Sequence, residues 1–180
     1  MNKLKSLLFV GIAGLLVSCA TATTDVMRNN VALGQGARWA LLPIVNHTPE
    51  PQAGLRAEAI TESLLRVYGI DDLERYPAKL SNDSVFAPAD RKLVSEAQSW
   101  ARKERIRYAV TGAVDEWRYK VGVDGEPAVG ITLQVIDLQT KRVVWSAAGA
   151  KSGGTRQAVS AVAQELVRTL LAQLRLKPGA

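Results

Sequence analysis

The chain has 180 residues, with 23 Lys and Arg against 17 Asp and Glu for a formal net charge of +6, and 47% of its residues are hydrophobic. That length suits one domain with a sizeable apolar core, and the positive excess forms neither a basic run nor a basic stripe interleaved with aromatics, which argues against nucleic acid as a partner. A single Cys and a single His exclude an internal disulfide and the common zinc ligand sets.

The amino-terminal segment opens with Lys3 and Lys5, continues as an apolar run from Leu7 to Val17 and closes on Leu16-Val17-Ser18-Cys19. A basic start, a short apolar stretch and small residues at the cut predict a secretory signal over residues 1–18, too short to span a bilayer as a helix. With Cys19 at the cut, the pattern resembles a bacterial lipobox, in which the thiol takes a diacylglycerol and the new amine an acyl chain. At about 0.8 kcal/mol per buried methylene, more than one chain gives a stable anchor. The competing reading is an ordinary signal with an incidental Cys. Ala20, rather than an Asp, follows the cysteine and points to the outer membrane, on its periplasmic face. Removing residues 1–18 takes Lys3 and Lys5 with it and leaves 21 basic residues against 17 acidic ones.

Residues 19–36 are rich in Thr, Asn and Gly without apolar periodicity and read as a lipidated tether, or as an arm packed on a neighbour. One α/β domain of the α+β kind is expected over 37–176. Trp39 to Val45 is a short apolar run that predicts a buried strand, with Pro43 requiring a bulge or an edge because proline cannot donate to the ladder. Ala57, Ile60, Leu64 and Val67 recur at helical spacing, and Gly69 ends that helix. A short strand is expected over Leu73 to Tyr76, and Leu93, Ala97, Trp100 and Ala101 mark a second helix. Tyr108 to Val121 is long for one strand, which predicts a bend near Gly112. The Asp124-Gly125 pair signals a hairpin, followed by alternation at Ile131, Leu133 and Val135, a turn over Asp137 to Lys141 and a strand over Val143 to Ala147. Thr155 is the expected N-cap of a last helix whose stripe is Val159, Val162, Leu166 and Leu170. The sum is a mixed sheet with an antiparallel meander, covered by about three helices.

Residues suited to chemistry are few. His47 follows a strand and has no Gly-x-Ser-x-Gly elbow to serve, and no phosphate-loop pattern occurs. Asp115 and Glu116 are sequence neighbours, so on a strand they point to opposite faces and cannot flank one bond. No catalytic residue, metal or cofactor is assigned, and an enzyme is not expected. Trp117 shares strand parity with Ala113, Asp115 and Tyr119. Both a surface platform for a subunit, sugar or lipid headgroup and a place under a helix fit it. Trp145 lies in an apolar strand and is open to the same two readings.

The stretches Leu41 to Asn46, Pro51 to Ala59, Tyr108 to Gly122 and Val135 to Ser146 resemble the PelC family, outer-membrane lipoproteins of Pel exopolysaccharide export, across nearly the whole mature chain. More distantly, the Asp137 to Trp145 pattern is similar to lipoproteins related to the curli secretion channel, to penicillin-binding-protein activators and to the TolB amino-terminal domain. The resemblance implies a compact α/β sheet covered by helices and a homo-oligomeric ring beneath the outer membrane. That ring would guide a cationic amino-sugar polymer, the exopolysaccharide, to an outer-membrane β-barrel porin. It makes Asp115, Glu116, Asp124, Glu126 and Asp137 the candidate guiding acids, and Trp117, Tyr119 and Trp145 the candidate membrane or subunit-contact aromatics. The alternative is a monomeric lipoprotein that activates a peptidoglycan synthase by protein contact.

Overall fold

A computed structural model of the chain describes residues 22–28, 32–77, 87–119 and 125–178. Cys19 and Asp124 lie outside them. The elements in chain order are β1 (Ala22–Arg28), β2 (Leu33–Gly34), β3 (Trp39–Asn46), α1 (Ala53–Val67), β4 (Leu73–Arg75), α2 (Ala87–Lys103), β5 (Tyr108–Tyr119), β6 (Pro127–Asp137), β7 (Arg142–Ser152), α3 (Val159–Leu171) and β8 (Leu176–Lys177). Six strands form one mixed sheet in the order β1-β7-β6-β5-β3-β4, and β2 pairs in parallel with β8.

β3 is parallel to both its neighbours, β4 and β5, whereas β5, β6, β7 and β1 run antiparallel in succession. The chain steps outward from β3 to β4 through α1, then back over β3 to β5 through α2. Right-handed crossovers taken in opposite directions put their helices on opposite faces of a sheet, and that is where these helices lie. On one face, Ala57, Leu64 and Leu65 of α1 and Val162, Leu166 and Leu170 of α3 pack on Trp39, Leu41, Val110, Leu133 and Val135. On the other, Ala97 and Ala101 of α2 pack on Ala40, Leu42, Ala109 and Ile136. Each fully buried Leu or Val contributes about 1.5–3 kcal/mol, so the two-helix face carries most of the core energy.

The expected strands and the three helices are present, with differences that have local causes. The expected tether carries β1, which pairs with β7 from Ala22 to Arg28, and Leu33, which is buried in the larger core cluster. A polar edge strand shows no apolar period because its ladder comes from β7 and one side faces water. The last helix starts at Val159 after Ala158, not at a Thr155 cap, and its N-cap makes no side-chain hydrogen bond. Gly69 ends α1 with a φ of 83° that a side chain would strain. Pro43 sits where the β3–β5 register shifts between Leu41 and Ile44, and Thr111 Oγ1 donates to its carbonyl at 2.8 Å. The bend expected at Gly112 falls instead at Asp115, where β5 carries one residue more than β6 between the pairs Val114–Ile131 and Glu116–Gly130.

Candidate functional site

That extra residue reorganises the end of β5. Val110 and Val114 point into the larger core, and strict alternation would send Trp117 to the opposite face. A bulge inserts one residue and reverses parity beyond it. Trp117 therefore joins Val114 in the core, 3% exposed. Asp115 and Glu116, expected on opposite faces, emerge together on the face that α2 leaves uncovered. Glu116 lies across from Gly130, which shares the outward parity of Thr132 and Gln134, and the Asp115 Oδ2 accepts a hydrogen bond from Thr132 Oγ1 at 3.4 Å.

The uncovered part of this face is built mostly from small and polar side chains. Cross-strand rows run Ala113–Thr132–Ala148–Asp25 and Thr111–Gln134–Ser146–Met27. Thr132, Gln134, Ser146 and Ala148 are all half-buried, so the floor is low and largely polar. Asp115 rises from it with its carboxylate half exposed, and its Oδ1 accepts a hydrogen bond from His47 Nδ1 at 2.9 Å. Glu116 pairs with Arg118 Nε at 2.9 Å. Glu126 is exposed just before β6.

Asp137 stands apart from these acids, at the far end of the 11-residue β6. It is 5% exposed, pairs with Arg107 at 2.7 Å and accepts the backbone N–H groups of Gln139 and Thr140 through Oδ1. Its carboxylate closes the β6–β7 turn and has no open side for a polymer. Trp145 is likewise buried, at 4%, beside Ala147 and α3. Of the three aromatics expected to meet a membrane or a subunit, Tyr119 alone offers a surface, at 52% exposure. Burial of the two indoles follows from parity: the bulge at Asp115 moves Trp117 inward, and Trp145 pairs with Val135 on the core face.

Among the described acids to which sequence analysis assigned no role, one, Glu58 of α1, is buried; its Oε1 accepts the Ile44 N–H that the β3 bulge frees, at 3.0 Å, and its Oε2 takes Arg75 at 2.6 Å. The available signal was a carboxylate on the buried stripe of α1, next to Ala57. Among the described residues, no group of three or more His, Cys, Asp or Glu is placed to hold a metal ion, and no helix is long and apolar enough to cross a membrane.

The fold is similar to that of lipoprotein GNA1162 from Neisseria meningitidis, which superposes with a TM-score of 0.54 at 16% identity, covering 76% of this chain and 96% of that one. The likeness shows the class of fold. The sequence matches no protein-family model and none of the curated proteins. A solved structure is far more similar: the PelC dodecamer from Paraburkholderia phytofirmans shares 39% identity over 87% of this chain and 99% of its own, with a TM-score of 0.73. A methionine variant of the same dodecamer gives 38% identity and a TM-score of 0.74. The chain belongs to the PelC family.

Proposed function

We propose that this protein is a lipid-anchored periplasmic subunit of a Pel-type exopolysaccharide secretion apparatus. In this reading, copies assemble into a ring under the outer membrane and guide a cationic polysaccharide toward an outer-membrane β-barrel. The observation that carries it is the 39% identity to a dodecameric PelC over nearly all of that protein's length. The role is non-catalytic: the chain holds a polymer weakly and passes it on.

The uncovered sheet face supports the second half of the reading. A lining that carries one sign of charge focuses potential on a ligand of the other sign, and conduction needs sites loose enough to release it. Asp115, Glu116 and Glu126 supply negative charge, and Thr132, Gln134 and Ser146 supply short hydroxyl and amide groups at sheet level. Asp124 belongs to the same proposal by sequence position. Asp137 drops out of it, because its charge is engaged in the turn.

Native mass measurement of the purified protein tests the reading. A ring mass near that of a dodecamer supports the collar; a strict monomer at high concentration would favour a lipoprotein that activates a cell-wall synthase instead.

A further inference from the structure

A second site lies at the end of the sheet where β5 finishes, and Arg118 reaches it from the face that bears Glu116. There the start of α1, the start of α3 and the last residues of β5 enclose a cleft of about 340 Å³, lined by Glu50, Arg56, Trp117, Arg118, Tyr119 and Ser160. Trp117 forms its buried floor. Tyr119 stands at its rim, its hydroxyl donating to the Gln157 carbonyl at 3.1 Å, so that the ring is held in place while half of it faces water. Each guanidinium has one acidic neighbour: Arg56 meets Glu50 at 2.8 Å and Arg118 Nε meets Glu116 at 2.9 Å. A guanidinium carries five N–H donors in a planar fork, so both retain donors suited to phosphate. Side-chain exposures of 49% and 65% leave those donors accessible.

The sheet register says which environment this cleft meets. Ala22 is paired with Lys151, Lys151 with Val129 and Val129 with Trp117, so the first described residue and the cleft floor share one cross-strand row. Three interstrand steps separate them by about 14 Å. Cys19 stands three residues before Ala22, a reach of at most about 10 Å. β1 is antiparallel to β7, and β5 is parallel to β7, so tracing the chain back from Ala22 leads toward the same end of the sheet that Tyr119 faces. An acylated Cys19 therefore brings the bilayer surface to this end. A tyrosine rim with two arginines is suited to that depth, where an aromatic ring sits among headgroups and cations meet phosphates.

We infer that this cleft binds the phosphate of a phospholipid headgroup in the leaflet that holds the anchor, which sets the tilt of the subunit on the membrane. The inference rests on the lipid-anchored reading above. It gives Arg56 and Arg118 a role beyond their ion pairs with Glu50 and Glu116, with Tyr119 seated beside the glycerol region.

The test uses the full lipidated chain reconstituted in vesicles of phosphatidylethanolamine and phosphatidylglycerol with a trace of headgroup-photoreactive phosphatidylethanolamine. Mass spectrometry then maps the adducts and weighs Cys19 in the same sample. Adducts are expected on residues 117–119 and 156–160. The Arg56→Gln/Arg118→Gln pair should lower their yield about tenfold or more, with the protein still vesicle-bound and its helix signal unchanged. Arg118→Lys, which keeps the charge but loses the fork, should fall between. Adducts elsewhere, or a yield indifferent to both arginines, would overturn the headgroup site while leaving the anchor intact. Loss of the adducts in millimolar inorganic phosphate would reassign the cleft to soluble phosphate. An unmodified Cys19 would remove the anchor and, with it, the reason for a headgroup.

Discussion

Glu58 and Ile44 meet at 3.0 Å, a carboxylate oxygen of α1 accepting the backbone N–H that β3 cannot place in its ladder after Pro43. The bulge and the acid form one device: proline breaks the pairing, and the helix above supplies the missing acceptor. Arg75 holds the second oxygen, so the buried charge is paired.

Replacing Glu58 with Ala leaves a buried N–H without an acceptor and a guanidinium without its partner. The expected loss is about 1–3 kcal/mol of unfolding free energy, read from denaturant titration. Glu58→Gln keeps an acceptor for Ile44 and should lose less. Equal losses in the two variants would contradict the backbone role.

Trp117→Ala should behave as a core truncation and cost about 3–5 kcal/mol. Tyr119→Ala, two positions on and half exposed, should change thermal stability little. Similar small effects at both positions would mean that the bulge at Asp115 does not turn the indole inward.

The acid track predicts graded behaviour. Neutralising Asp115 or Glu116 singly, as Asp115→Asn or Glu116→Gln, should weaken binding of a cationic amino-sugar oligomer by about 0.2–1 kcal/mol each, as exposed charges do. The double variant should lose roughly the sum, and raised salt should erase the difference. Isothermal titration at two ionic strengths checks it; complete loss from one substitution would point to a single stereospecific site.

Acid stability should depend on Lys151 and Glu165. The hydrogen bond from Lys151 Nζ, at 2.7 Å, holds the Glu165 carboxyl below its ordinary 4.5 despite the desolvation that opposes it, and the lysine's charge adds to the effect. A carboxyl with a lowered folded value stabilises the native state above its unfolded value, and the contribution fades as pH falls through the lowered one. Lys151→Met should therefore flatten the loss of stability below about pH 4.5, seen in thermal unfolding across the acid range. An unchanged slope would show that the pair is not coupled to folding.

Much of this was legible one residue at a time. The three- and four-residue steps of Ala57, Ile60 and Leu64 and of Val159, Val162, Leu166 and Leu170 marked two helix stripes on the core, and Ile131, Leu133 and Val135 marked the core face of β6. Val67, expected on the first stripe, is instead 75% exposed at the end of α1. Pro43 announced a bulge because a missing donor is a property of the residue itself. The four PelC-like stretches point to the family from sequence alone.

Other features depended on partners. β1 is a strand because β7 offers a free edge, which no count along residues 22–28 reveals. Side-chain parity beyond Asp115 depends on the register of β6 against β5, and that register is chosen by packing far along the chain. A one-residue offset moves every later side chain to the other face, so Trp117 went inside and Asp115 and Glu116 came to share a surface. Periodicity is a local property that a sequence carries by itself, whereas the phase of a strand after a bulge is set by the energy of the whole sheet.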